Sequence, residues 1–117
     1  MAENIIVTKT YSFALMIVRA CRCLHEQREY ILSKQLLRSG TSIGADVLEA
    51  TQGESKAGFI HKMSIALKET VESSYWIRLL RDSNYIEQNR ADELLVFCEE
   101  IRKIISSIIK TSKERKL

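Results

Sequence analysis

Two histidines, three cysteines and a run of small polar residues are where this sequence could do chemistry. Imidazoles transfer protons or bind metals, which makes His25 and His61 the first candidates. Di-iron helical bundles need inward-facing Glu-x-x-His pairs, but the residues three positions before these histidines are Arg22 and Gly58. His25-Glu26-Gln27-Arg28-Glu29 begins like a zinc-protease helix, and a glutamate stands where the second histidine belongs. Cys21-Arg22-Cys23 is spaced too closely for a structural zinc pair. Cys21 and Cys98 fall at apolar helical positions, where a free thiol packs as a small hydrophobe. There is no glycine-rich phosphate loop, and no motif joins a serine to a histidine and an acid. The residue types therefore predict no catalytic residue, no metal site and no cofactor.

The run Arg38-Ser39-Gly40-Thr41-Ser42-Ile43-Gly44-Ala45-Asp46 is of another kind. Each glycine in a helix interior costs about 1 kcal/mol against alanine, so a helical pattern that keeps two of them needs a reason. Gly40 and Gly44 are one turn apart and leave two bare spots on one face, where a second backbone can approach closely. Close helix packing is the expected role, with contact to a ligand or nucleic acid as the alternative. Asp46 and Glu49, three residues apart, share a face and either meet a partner helix or face water.

Charge is concentrated at the end of the chain. Residues 102–117 carry a net charge of +5, while the first 101 residues carry −2. At 100° per residue, Arg102, Lys103, Lys110, Lys113 and Lys116 fall within an arc of roughly 140°. Such a stripe either grips phosphates or solubilises a helix end and complements its dipole. The sequence pI of 8.8 lies short of the ~9 typical of a nucleic-acid footprint.

The elements that must position these groups are helices. Phe13, Ala14, Ile17, Cys21 and Leu24 recur at helical steps in a first segment, about Thr10 to Gln27. Leu32, Leu36, Ile43, Val47 and Ala50 carry a second, Ile31 to Gln52, after the short break Arg28-Glu29-Tyr30. Gly53 offers a left-handed helix end and Ser55 an N-cap for a third segment, Lys56 to Asp82. The fourth, Glu87 to Lys113, has Leu94, Cys98, Ile101, Ile105 and Ile108 at 4-3-4-3 spacing. Short connections return each helix antiparallel to the last, which predicts an all-α, up-down-up-down four-helix bundle in one domain over residues 1–117. The absence of proline and only four glycines among 117 residues speak against a many-turned β fold. The composition, 45% apolar and 28% charged, is that of a globular domain. Charges interrupt every apolar run before the ~20 residues of a membrane span, and the start shows no basic leader. A cytoplasmic location without membrane attachment is expected.

The third segment looks apolar on two sides. Phe59, Met63, Leu67 and Ile77 share one face, whereas Ile65, Trp76 and Leu79 point roughly the opposite way. Either the second set covers a bundle edge or it forms a subunit interface, and the latter reading is favoured because large exposed apolar patches on monomers are uncommon.

Three stretches carry a family resemblance: Leu36-x-Arg38-Ser39-x-x-Ser42-Ile43 with Glu49-Ala50, then Phe59-Ile60-x-Lys62-x-Ser64-Ile65-Ala66-Leu67, then Glu72-x-x-Tyr75-Trp76-x-x-Leu79-Leu80. With Tyr11-x-Phe13-Ala14 and the isoleucine-rich last helix, the chain resembles proteins encoded in intervening sequences of bacterial 23S ribosomal RNA genes. One departure is Asp46, where the family usually has asparagine; an ionised carboxylate only accepts hydrogen bonds. The resemblance implies a left-handed antiparallel bundle assembled as a homopentamer. It also implies kinship with the accessory variability determinant of diversity-generating retroelements, a basic pentamer that binds nucleic acid. Two functions follow as expectations: a non-enzymatic oligomeric module holding RNA or DNA through the basic stripe, or a protein-interaction scaffold without nucleic-acid binding.

Overall fold

The computed structural model describes residues 2–115, and all regular structure among them is helical. The helices are α1 (Ala2–Glu26), α2 (Ile31–Gln52), α3 (Lys56–Asp82) and α4 (Gln88–Glu114). Each packs on its neighbours in the chain, and α4 closes the ring against α1. The result is an all-α four-helix bundle measuring 51 × 20 × 19 Å. Phe13, Ile17, Leu36, Ile43, Met63, Ile77, Ile101 and Ile105 are fully buried along its axis, one seam from each helix, as amphipathic periodicity requires.

Helix α1 begins at Ala2, eight residues before the expected start at Thr10. The β-branched run Ile5-Ile6-Val7-Thr8 has mediocre helix propensity, but Ile6 is fully buried in the core. Tertiary burial outweighs the local preference. Thr10 is itself buried, and its hydroxyl donates to the Ile6 carbonyl at 2.7 Å.

The helix ends hold a second correction. Gly53 is extended (φ −74°, ψ 159°) and provides no left-handed end. The left-handed residues are Arg28 and Asn84. At the first, Glu29 N–H donates to the Leu24 carbonyl and Arg28 N–H to that of His25; at the second, Tyr85 donates to Leu80 and Asn84 to Arg81. Both are Schellman endings, which satisfy carbonyls the helix leaves open. Ser55 Oγ accepts from Gly58 N–H at 3.0 Å and caps α3.

Helix α2 is capped from one residue further back. The Glu29 carboxylate accepts from the backbone N–H groups of Ile31, Leu32 and Ser33, the last at 2.7 Å. The Ser33 hydroxyl donates to the Glu29 carbonyl. Burial pushes this carboxyl up, but the donors Ser33, Leu32 and Ile31 outweigh it and hold Glu29 below its ordinary 4.5.

Candidate nucleic-acid interface

The α4 seam turns Ile101, Ile105 and Ile108 inward, which leaves the intervening cations to the outside. Lys103, Lys110 and Lys113 are exposed, and none of the three has an acidic partner among the described residues. Arg102 differs: its Nε and second terminal nitrogen grip Glu99 at 2.7 and 2.8 Å. That pair raises the Arg102 pKa and lowers that of Glu99, so Arg102 is already engaged by a neighbouring carboxylate within the helix. Lys116 lies outside the described residues. At the same end of the bundle, Lys56 Nζ donates to the Arg115 carbonyl at 2.6 Å and joins the start of α3 to the end of α4.

Helix α3 adds residues that composition alone did not single out. Lys68, Val71, Tyr75 and Arg78 are all exposed at 3-4-3 spacing, one stripe of the helix. Three residues beyond it, Arg81 reaches across to Asp92 of α4 at 3.2 Å. The stripe itself lies on the solvent-exposed face of α3. Tyr75, half exposed and edge-on to Trp76 at 5.2 Å, supplies an aromatic face beside basic groups. The 3-4-3 spacing was the signal that could have found them.

Bordering this stripe toward α2, α3 carries Ile65, Trp76 and Leu79. Ile65 and Trp76 are partly buried and Leu79 is 37% exposed. The Trp76 indole N–H donates to Glu72 at 3.0 Å, and Glu72 also pairs with Arg38 of α2. The indole's polar edge is thus satisfied within the chain. Lys62 bridges back to α2, 2.7 Å from Glu49 and 3.8 Å from Asp46; these pairs raise its pKa, Glu49 most. Buried between the helices, Ser73 Oγ donates to Ser39 Oγ at 2.9 Å.

Gly40 and Gly44 face α1. A Cβ on Gly40 would stand 2.8 and 2.9 Å from the two γ carbons of Ile17, a side chain with no exposure and no room to swing. On Gly44 it would meet Thr10 oxygens at 3.4 Å, close to ordinary contact. Cys21 and Cys98 are buried and Cys23 is exposed; the Cys21 thiol donates to the Ser33 carbonyl at 3.4 Å. His25 stacks edge-on against Tyr30 at 5.3 Å. No group of three or more metal-ligating side chains occurs among the described residues. No described helix is long and apolar enough to cross a membrane.

With the geometry in place, the chain can be set beside known proteins. The family described as 23S rRNA-intervening sequence protein matches residues 2–107. A crystal structure from Bacteroides thetaiotaomicron VPI-5482, described as a protein with unknown function from the S23 ribosomal protein family, is 45% identical. It superposes with a TM-score of 0.92, covering 94% of this chain and 99% of its own. A search of curated proteins finds no match. The four helices and the profile over nearly all of their length agree: the chain belongs to the 23S rRNA-intervening sequence protein family.

Proposed function

We propose that this protein is a non-enzymatic, homo-oligomeric binding module that holds RNA or DNA by its phosphates. The observation that carries the reading is the set of exposed lysines on α4, Lys103, Lys110 and Lys113, left without acidic partners on a chain whose first 101 residues are net negative. Lys68 and Arg78 widen the surface across α3, and Tyr75 gives a base something to stack on. Arg102, paired with Glu99, serves only if a phosphate displaces the carboxylate. The family is described by its place in 23S rRNA intervening sequences, and structured RNA and duplex DNA are both tried as ligands.

Oligomer formation through Ile65, Trp76 and Leu79 belongs to the same proposal, with five copies as the sequence resemblance implies. Repeating the basic face around a ring focuses its field. Sedimentation at micromolar concentration showing only a 13.5 kDa species removes this part. For the binding itself, affinity for structured RNA and duplex DNA is measured from ~50 to 200 mM salt. Contacts to 6–10 phosphates weaken it by about 10³–10⁵ over that range. Replacing Lys103, Lys110 and Lys113 together by glutamine flattens the slope while the melting temperature holds, because exposed charges contribute little to stability. Absence of binding at the lowest salt overturns the reading.

A second reading has its own observation. Tyr11, Leu15 and Val18 on α1 and Leu37 and Leu48 on α2 are large apolar residues left exposed. They fit a scaffold whose partner is another protein, and failure of the nucleic-acid test leaves this reading standing.

A further inference from the structure

Glu69 sits in the α2–α3 seam in a setting that does not suit a carboxylate. Its Oε1 is out of reach of solvent and receives no hydrogen bond. The group that acts on it most strongly after burial is another acid, Asp46 of α2, which is itself only 16% exposed. Two carboxyl groups share this spot and the nearby cations serve them poorly. Lys62 is 3.8 Å from Asp46 but 2.7 Å from Glu49, and Arg38 is engaged by Glu72. A buried oxygen with neither water nor donor is costly when charged. Two adjacent carboxyls relieve both problems by holding one proton between them.

We infer that Asp46 and Glu69 form a proton-sharing pair that fastens α2 to α3, and that its deprotonation loosens this seam as pH rises. The charged groups facing the pair are Arg38 from α2 and Lys62 and Glu72 from α3, with Glu49 of α2 competing for Lys62. Burial is the largest cause and the hydrogen bond and charge of Asp46 come next; together they push Glu69 from its ordinary 4.5 up to about 8. In the unfolded chain Glu69 loses its proton near 4.5, whereas in the bundle it keeps it to about 8. Between those values the folded state binds the extra proton, so stability falls with rising pH and levels off above the window.

The test follows the Glu69 side-chain carboxyl by carbon-13 NMR through a pH titration, alongside thermal melts at pH 5, 6.5 and 8 at one protein concentration. Expected are a Glu69 midpoint well above 6 and a melting temperature that drops by roughly 5 °C or more from pH 5 to pH 8. Asp46→Asn supplies an amide donor and removes the like charge. It is expected to return the Glu69 midpoint toward the ordinary carboxyl range and to flatten the melting profile. Glu69→Gln flattens the profile by a second route. A Glu69 midpoint near 4.5 in the folded wild type overturns the inference, as does a wild-type pH profile parallel to that of Asp46→Asn. Neither result bears on nucleic-acid binding.

Discussion

Helix α2 is held on its two sides by different physics. Toward α1 the contact is made by absence: Gly40 has no side chain, Ile17 fills the space, and the turn before α2 spends a carboxylate on three backbone donors. Toward α3 the contact is made by side chains that must find partners: Ser39 with Ser73, Arg38 with Glu72, Asp46 with Lys62 and Glu69. The two glutamates show the contrast most clearly. Glu29 is surrounded by donors and stays charged; Glu69 is half-buried beside an acid and resists charging. Donor supply, more than burial, decides which way a carboxyl shifts.

The largest effect should come from the α1–α2 side. Glu29→Ala strands three backbone N–H groups and is expected to cost about 2 kcal/mol, read by denaturant melts at pH 7. Its pH signature is opposite to that of Glu69. A carboxyl held below 4.5 stabilises above that pH, and the benefit is lost as acid takes it through its folded value. The wild type should therefore be most stable near pH 5, with Glu29→Gln making the acid limb shallower and Asp46→Asn flattening the alkaline one. A single flat profile for all three proteins would erase the contrast.

Gly40→Ala comes next, at about 1–2 kcal/mol of destabilisation. The added methyl presses on a branched, immobile Ile17, and overpacking outweighs the gain in helix propensity. Ser73→Ala probes the other seam and removes one buried hydroxyl pair at about 1 kcal/mol. The smallest change is Gly44→Ala, where near-ordinary spacing to Thr10 lets helix propensity win by up to ~0.5 kcal/mol. Opposite signs for the two glycines, measured as melting temperatures, would confirm that the close approach is local to Gly40.

The bundle was legible because its signals repeat. The 4-3-4-3 apolar series of α4 and the Ser55 cap of α3 are patterns that any helix reading collects, and α2 and α3 run between the bounds such signals set. What escaped is what depends on a neighbour. The first turns of α1 are helical because Ile6 is buried by the rest of the bundle, which no local propensity records. Glu29 looked like part of a polar break, and its role exists only once Ile31, Leu32 and Ser33 turn their N–H groups back toward it. Asp46 stood out in sequence as a departure, but Glu69, its partner 23 residues on, is one acid among many until α2 and α3 are set side by side. On the candidate surface the α4 lysines declared themselves by density of charge, while Lys68, Tyr75 and Arg78 are spread over three turns and gather only on the folded helix.

The unequal burial of the three thiols has a practical reading. Burial and the Glu29 charge push Cys21 up to about 11, and burial pushes Cys98 up to about 12, so at neutral pH both are protonated and shielded. Since the thiolate is the reacting form, a maleimide dye added to the folded protein should couple once per chain, at exposed Cys23. In an assembly the number of bleaching steps per particle then counts the copies directly, and the bundle's own sequence has already placed the label.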